Sequence, residues 1–274
     1  DHLSVNDRKD KIRQRLWKIR AKKVVIATGA IERPLIFNNN DRPGILLSSS
    51  IKKYIDYYGV KCGNKITIFT SNDSAYETVL SLYKNGVKVN SIIDIRDKSE
   101  SLIVKKVQDI GIKIYWKHTV VNTKGYKRIN SVELMKLNEK GTGVIGDKIN
   151  ESCDCLGISG GWTPMVHLFT QSGGKLEFNR IDNMFIPNEN KSPSEQISVG
   201  SCNGDLELDD IIKKTNLKTK EFLDINTSIF DSLKILSSKE KNKKNIWLLP
   251  SDKPLGKTKP FLDFQNDSTA KDVK

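Results

Sequence analysis

The sequence has no long apolar run and little cysteine or histidine, and each shortage excludes a class of protein. In 274 residues no stretch approaches the roughly 20 consecutive apolar residues that a membrane-spanning helix needs. The four cysteines include no CxxC pair and the three histidines are scattered, which argues against structural zinc and a disulfide framework. No secretory signal is visible at the start. The sequence therefore predicts a cytoplasmic protein without membrane contact or a metal site.

Arginine is scarce relative to lysine, although the chain is strongly basic. Lysine and arginine together number 46 against 33 acidic residues, and 37 of these 46 are lysine. Residues 1–30 carry 9 basic and 3 acidic side chains and residues 211–274 carry 14 and 8, so the two ends supply +12 of the net +13. Phosphate recognition favours arginine and a clustered charge, whereas here arginine is scarce and the charge lies at the two ends. We predict no nucleic-acid partner.

The clearest unit is a strand, a helix and a second strand. ITIFT at 66–70 is an apolar run rich in β-branched residues, and AYETVLSLYKNG at 75–86 has helical spacing and a terminal glycine. VKVNSIIDIR at 87–96 then predicts a strand parallel to the first, because a crossover helix joins parallel neighbours. The pattern indicates an α/β fold built on a βαβ unit.

Further elements surround this unit. Residues 121–150 predict antiparallel strands that lie like a meander over the parallel sheet. From residue 211 onward, lysine, asparagine and proline predict mostly surface connection. The remaining expectations are an exposed strand at 11–20, buried strands at 21–26 and 153–162, a helix capped near Ser48–Ser50 and ended by Gly59, and a helix at 101–111 followed by a strand at 112–120.

The turn between the first strand and its helix is where a dinucleotide would bind in such a fold. Aligned to GxGxxA, the turn from Thr70 to Ala75 keeps only the last small residue, because Thr70 and Asn72 stand where glycines are expected. Asp73 adds a negative charge beside the phosphate position. Asp94 ends the second strand about where an acid would hold a ribose hydroxyl. We predict that the turn keeps the fold without binding NAD.

Three other strand exits carry glycine: ATGA at 27–30, GWTP at 161–164 and VGSCNGD at 199–205. Glycine there permits close passage against a dinucleotide, but each could equally be a plain turn. His167 lies between apolar neighbours and is predicted as a packing histidine. Cys153 and Cys155 are two apart on a strand, which predicts buried thiols on one side of it. No catalytic residue can be assigned.

Four segments are specific in their exact residue sequence and not only in the structural elements that they predict. RAKKVVIATGAIERPLIFNNNDRPGI, KITIFTSNDSAYETVLSLYKNGVKV, SGGWTPMVHLFTQSGGKL and FLDFQNDSTAKDV closely resemble the alpha subunit of heterotetrameric sarcosine oxidase. The resemblance extends from about residue 11 to 274. It implies two Rossmann-like domains of the glutathione-reductase type, of which the second is inserted into the first. The implied domains are 1–44 and 158–210 for the FAD/NAD-type domain, 45–157 for the inserted NAD-like domain, and 211–274 as a linker.

The resemblance also implies where cofactors bind. In this family NAD occupies the FAD-like domain of the alpha subunit, FAD lies in the beta subunit, and FMN lies at the interface between them. Ala27, Thr28 and Gly29 would border the NAD, and Gly200, Ser201, Gly204 and Leu206 match the motif that closes over it. Related reductases have an acid at the position of Ser201, so the serine favours NAD over FAD.

Two parts of the family pattern are expected outside these residues: a glycine-rich GxGxxG turn with a ribose-binding acid before residue 1, and a folate-binding domain resembling aminomethyltransferases after residue 274. The chain thus resembles an internal segment that alone is predicted to be inactive. The implied activity is oxidative demethylation of sarcosine to glycine, with one-carbon transfer to tetrahydrofolate and reduction of oxygen, in a complex with beta, gamma and delta subunits. Two alternatives remain: an alpha subunit of an opine, proline or cyanide-forming amine dehydrogenase, and a non-catalytic assembly scaffold.

Overall fold

The computed structural model describes residues 16–224 and 245–273, which form sixteen strands and six α-helices. The first eight strands are β1 Val24–Ile26, β2 Ala30–Glu32, β3 Ile45–Leu47, β4 Ile66–Thr70, β5 Val89–Asp94, β6 Lys113–Trp116, β7 His118–Gly125 and β8 Ile129–Leu137. The others are β9 Val144–Ser152, β10 Cys155–Ser159, β11 Trp162–Pro164, β12 Leu176–Asn179, β13 Met184–Pro187, β14 Gln196–Ser198, β15 Phe261–Asp263 and β16 Ser268–Thr269. The helices are α1 Ser48–Tyr58, α2 Ser74–Lys84, α3 Leu102–Asp109, α4 His167–Gln171, α5 Leu208–Leu223 and α6 Ala270–Val273.

A five-stranded parallel sheet lies at the centre, with strand order β3-β10-β4-β5-β6. Apolar side chains of α1, α2 and α3 pack on one face of it, around Ile68 and Ile92. The antiparallel meander β7-β8-β9 packs on the other face, around Phe69 and Ile93. Both faces are therefore buried, as a parallel sheet requires. The predicted βαβ unit and overlying meander are confirmed.

The strand predicted at 112–120 is divided between two sheets. Lys117 adopts a positive φ of 55°, which ends β6 and turns the chain into β7. The backbone N–H of Lys117 donates to Arg96 O and its carbonyl accepts from Leu137 N, so both polar groups of the turn are satisfied. A single continuous strand could not serve the parallel sheet and the meander together. The expectation of one strand is wrong at this residue.

Helix α1 is capped from another element rather than by its own serines. Leu47 occupies the N-cap position and forms no side-chain cap. The Glu32 carboxylate, at the end of β2, accepts a 2.7 Å hydrogen bond from Ser49 N instead. Gly59 ends the helix with a φ of 64°, as predicted. The capping interaction therefore joins the β2 region to the central sheet's helical layer.

A smaller region lies beside the central sheet. It contains the parallel pair β1–β14, the antiparallel pair β2–β11, the hairpin β12–β13 and the short helix α4. Its core is small and includes Ile26, Phe169 and Cys202. Val24 and Val25 are 43% and 39% exposed, so the prediction of a buried strand at 21–26 is correct only for Ile26.

The chain from residue 211 is more ordered than the sequence predicted. Residues 208–223 form helix α5, which is the longest helix among the described residues. The segment after residue 245 returns to the central domain: Leu249 joins its core, and Ile36 N donates to Trp247 O. The side chain of Asn40 then pairs with both backbone polar groups of Phe261, at 2.8 and 2.9 Å. Surface connection is therefore the wrong description for these segments; residues 225–244 lie outside the described part.

Across the described part of the chain, no helix combines the length and apolar character that crossing a membrane requires.

Candidate functional site

The two loops expected to border a cofactor leave the same edge of one parallel strand pair. Strands β1 and β14 are in register from Val24 opposite Gln196 to Ile26 opposite Ser198. The pairing continues one residue further, because Val199 N donates to Ile26 O at 2.9 Å. In parallel sheets the carboxyl edge is where ligands bind. The structure therefore brings together residues 27–29 and 200–204, which are about 170 positions apart in the chain.

The first loop is open to solvent at its beginning. Ala27 and Thr28 are exposed, and Gly29 has a φ of 75°. A Cβ on Gly29 would meet no atom within 4 Å, so glycine is required there by backbone conformation and not by crowding. The Thr28 hydroxyl donates to Met165 O at 2.6 Å, and Met165 N donates to Gly29 O at 2.9 Å. These bonds fix the loop against the chain that follows β11.

The second loop is a short 3-10 helix between two glycines. Gly200 and Gly204 have φ values of 72° and 92°, and residues 200–203 form the helical turn between them. Cys202 is buried, and its thiol contacts Ile26 O at 3.3 Å, which ties this loop to the end of β1. Ser201 is half-buried, and its hydroxyl forms no hydrogen bond within the part of the chain that the structure describes. That hydroxyl is available to a ligand.

Gly204 and Leu206 also line a separate, acidic cleft of about 490 Å³. Its wall carries one lysine, Lys214, and several carboxylates: Asp182, Asp205, Glu207 and Asp210. Asp205 pairs with Lys214 and raises the pKa of that lysine. A cleft with this excess of negative charge is unfavourable for a pyrophosphate. The phosphate side of a dinucleotide is therefore better placed at residues 27–29 and 200–201 than at Leu206.

The turn after β4 is closed by its own side chains. Asn72 Oδ1 accepts from Ser74 N at 3.0 Å, which satisfies a backbone donor at the start of α2. Asn72 Nδ2 donates to Ser159 O and Ser159 Oγ, at 3.2 and 3.0 Å. Thr70 Oγ1 bonds both backbone polar groups of Asn72. In a dinucleotide-binding turn these donors face the pyrophosphate, whereas here they are already paired.

Asp94 is also engaged, in an ion network in which Asp94 and Arg96 are fully buried and Asp73 is partly exposed. The Arg96 guanidinium contacts Asp94 through Nε and Nη2, at 3.0 and 2.8 Å, and contacts Asp73 through Nη1 at 2.8 Å. Tyr76 Oη donates to Asp94 Oδ2 at 2.8 Å, and burial together with this carboxylate raises the pKa of the phenol. Arg96 carries a single positive charge and shares it between Asp73 and Asp94, so the three groups keep one excess negative charge. Internal pairing of the turn adds a second reason against a ligand there to the charge argument made from the sequence.

The other sequence candidates are placed as follows. His167 is exposed at the first residue of α4, so the expectation of a packing histidine is wrong.

Cys153 and Cys155 are buried free thiols, and burial raises the pKa of each to about 12. They pack into different cores, on opposite sides of the central sheet, because β10 begins only at Cys155. The expectation of a shared side is therefore wrong. Residues 162–164 form β11, and Trp162 Nε1 donates to Ser74 Oγ at 3.2 Å.

The sequence analysis did not identify Arg96 as an important residue. It follows Asp94 by two positions, and a charged residue after a buried strand is ordinarily exposed. Two acidic residues at the ends of neighbouring elements, Asp73 and Asp94, were the only signal for a buried arginine. Among the described residues, no group of three or more histidine, cysteine, aspartate or glutamate side chains could hold a metal ion.

The chain is similar to three alpha subunits of sarcosine oxidase, whereas no family model matches it. Those from Corynebacterium sp. strain U-96 and strain P-1 are 33% and 31% identical over 270 and 271 residues, and each match covers 95% of this chain and 27% of the relative. The subunit from Rhizobium meliloti strain 1021 is 28% identical over 269 residues, with 95% and 25% covered. The chain thus spans about a quarter of the length of these curated relatives.

Solved structures support the fold. The flavoprotein disulfide reductase RclA from Escherichia coli superimposes with a TM-score of 0.52 at 17% identity, over 74% of this chain and 44% of that one. Thioredoxin reductase from T. acidophilum gives 0.50 at 17% identity, over 67% and 58%. The Rossmann-like, glutathione-reductase-type fold class is confirmed. Over 95% of its length the chain matches a segment of the sarcosine oxidase alpha subunit, and the resemblance in its motifs is thereby confirmed.

Proposed function

We propose that this chain is the NAD-binding segment of an alpha subunit of sarcosine oxidase. The complex would oxidise sarcosine, transfer its methyl-derived carbon to tetrahydrofolate, release glycine, and reduce oxygen to hydrogen peroxide. The similarity to three subunits of that name over 95% of the chain supports this proposal. Since the match covers about a quarter of each relative, the activity is a property of the larger assembly.

The convergence of two glycine-bearing loops at the carboxyl edge of β1 and β14 carries the NAD assignment. Gly29 and Gly200 both have positive φ, which turns the chain sharply and lets a ligand approach backbone N–H groups. Thr28 is exposed and the Ser201 hydroxyl is available, so the edge offers neutral polar contacts. Such an edge favours a dinucleotide that needs no carboxylate partner at this position. This feature supports the proposal of NAD as the bound cofactor.

The residues of this chain would bind and orient the dinucleotide without taking part in a bond-making step. Bound NAD supplies a nicotinamide ring that can exchange a hydride. The backbone at 27–29 and 200–201 would hold the cofactor, and Leu206 would close the far side of the loop. FAD within the beta subunit would oxidise the amine, FMN would lie at the interface with that subunit, and tetrahydrofolate would bind in a further domain. Gamma and delta subunits would complete the heterotetramer.

The test is the cofactor content of the intact complex, with Ser201→Asp as the decisive variant. A carboxylate beside a dinucleotide that bears phosphate charge should lower NAD affinity by about tenfold or more, equivalent to about 1.4 kcal/mol. NAD, FMN and FAD are quantified after denaturation. Ser194→Asp is the matched control, because Ser194 is exposed in the turn before β14, at the opposite end of the strand. It should leave NAD content unchanged.

Other outcomes would select the alternatives. Retained NAD with lost FMN in Ser201→Asp would place this loop at the subunit interface and contradict the NAD assignment. Iron–sulfur content together with a different flavin set would favour an opine, proline or cyanide-forming dehydrogenase. Absence of any nucleotide from the isolated alpha subunit would favour an assembly scaffold.

A further inference from the structure

A cavity of about 400 Å³ lies beneath helix α5. Its walls are strand β14, the end of β13, Phe169 of α4, and the last part of α5 with Lys218, Glu221 and Phe222. The volume falls in the range of small-molecule sites, roughly 300–1,000 Å³. None of the seven residues assigned to NAD lines it, although Asn203 of the loop at 200–203 does.

Two lining residues carry buried polar atoms that have no partner among the residues the structure describes. Gln196 and Ser198 are only 8% and 5% exposed, and within 16–224 and 245–273 neither Gln196 Nε2 nor Ser198 Oγ has a hydrogen-bond partner. They are two positions apart on β14, so both side chains extend from the same face of the strand. Buried polar groups are nearly always paired, because leaving them unpaired is costly. Two such groups on one wall of a cavity indicate that a bound molecule completes them.

The charge of the cavity restricts that molecule. Lys218 is paired with Glu189, and Glu221 adds a second carboxylate to the same wall. The lining therefore offers no uncommitted cation and has one excess negative charge. A phosphate or carboxylate ligand would meet repulsion there. An uncharged molecule is the better match.

The remaining walls restrict its shape. Phe169 is fully buried, and Pro187, Phe222 and Ile197 add further apolar surface. Flat aromatic and proline surfaces pack well against a planar ring. The Gln196 Nε2 group can only donate a hydrogen bond, whereas the Ser198 hydroxyl can also accept one. A ring amide, with a carbonyl beside an N–H group, supplies both complementary atoms.

We propose that this cavity binds a small, uncharged, planar ring amide. The carbonyl of the ligand accepts a hydrogen bond from Gln196 Nε2, its N–H donates to Ser198 Oγ, and its ring packs against Phe169 and Pro187. Uracil is a suitable probe, because it presents this arrangement and carries no phosphate. The dimethylated analogue 1,3-dimethyluracil is the matched probe, because it keeps the ring and carbonyls but has no N–H donor.

Calorimetric titration of the full protein with uracil tests the proposal. Saturable binding is expected, weakened about tenfold by Gln196→Leu and about fivefold by Ser198→Ala, since each loses one hydrogen bond. The dimethylated probe should bind the parent at least about fivefold more weakly than uracil. Gln265→Leu makes the same exchange at an exposed glutamine near the chain's end and should change nothing. Saturating NAD should leave the uracil affinity unchanged, so this result does not depend on the proposed NAD function.

Several results would overturn it. These are the absence of saturable heat up to the solubility limit of uracil, equal uracil affinity in the parent and in folded Gln196→Leu, and displacement of uracil by NAD. A crystal soaked in uracil that shows only water at Gln196 and Ser198 would count equally against it. Circular dichroism checks each variant, and if Gln196→Leu does not fold, Ser198→Ala and the dimethylated probe decide between binding and its absence.

Discussion

Two turns at the ends of parallel strands, one after β1 and one after β4, show how the same local architecture can be left open or closed. After β1, Ala27 and Thr28 are exposed, and the neighbouring loop after β14 contributes Ser201 with an available hydroxyl. After β4, the Asn72 side chain occupies the donors around the start of α2, and Arg96 joins the two nearby acids.

The two turns differ in which groups pair with their backbone N–H donors and with their charged side chains. A turn that binds a dinucleotide leaves its N–H groups for the pyrophosphate and an acid for the ribose. In the β4 turn, side chains of the protein supply these partners, so folding itself completes the network. Both regions keep the parallel-strand geometry, and the choice between binding and stability depends on a few side chains. The following predictions test this contrast.

Replacing Arg96 by leucine should cause the largest effect. The exchange leaves Asp94 and Asp73 without their cation inside the protein, and breaking such a buried pair costs about 3–5 kcal/mol. Urea unfolding of the parent and the variant measures the loss. Arg180→Leu is the matched control, because Arg180 is exposed at the start of the turn in the β12–β13 hairpin, and it should change stability by less than about 0.5 kcal/mol. A loss below about 1 kcal/mol in Arg96→Leu would contradict a network that stabilises the fold.

The second-largest effect is expected in amide hydrogen exchange, whose rate should differ between the two regions. Amides in 66–70 and 87–94 belong to a sheet covered on both faces and should exchange at least about 100-fold more slowly than those in 16–29. Added NAD should slow exchange at 27–29 and 200–204 and leave 70–75 unchanged. Equal protection of both regions, or NAD protection at 70–75, would refute the contrast.

Asn72→Ala should have an intermediate effect. It removes the acceptor for Ser74 N and two donations to Ser159, which should cost about 1–2 kcal/mol in unfolding free energy. The variant should gain no NAD binding at this turn and should bind the same amount of NAD as the parent, because Arg96 holds Asp94 away from a ribose. Chemical unfolding and equilibrium dialysis with NAD measure the two quantities. Asn64→Ala, at an exposed residue whose backbone alone is hydrogen-bonded, should be neutral. Binding of more NAD per protein by Asn72→Ala than by the parent would show that the amide alone had blocked the turn.

The smallest effect concerns the pH dependence of the Glu32 cap. Burial raises the pKa of Glu32 above 4.5, although hydrogen bonds from Ser159 and Ser49 oppose the rise. The folded state therefore holds a proton that the unfolded state releases, so the unfolding free energy should fall as pH rises from 4.5 through the folded pKa. Glu32→Gln keeps an acceptor for Ser49 N without a titrating group and should lose this contribution. Urea unfolding across that pH interval compares them, and identical slopes would contradict the assignment.

The sequence was most informative where local pattern and tertiary packing agree. The apolar run 66–70, the helix that follows and the strand at 87–96 were predicted together, and the observed β4, α2 and β5 lie within them apart from the first helical residue, Ser74. Helix α5 was missed because its many lysine and polar residues resemble a connection, and it contains no fully buried residue. Its helical form depends on contacts with the loop at 200–203 as much as on composition.

Residue type and order by themselves determined the α/β class, the βαβ unit, the overlying meander and the two glycine-bearing loops, because periodicity and glycine act over a few neighbouring residues. Only the tertiary structure decided that Asp73 and Asp94 share Arg96, that Cys153 and Cys155 enter different cores, and that Asn40 holds Phe261. These contacts depend on which surfaces folding brings within a few ångströms, often across more than 100 residues, and spacing along the chain does not encode that distance.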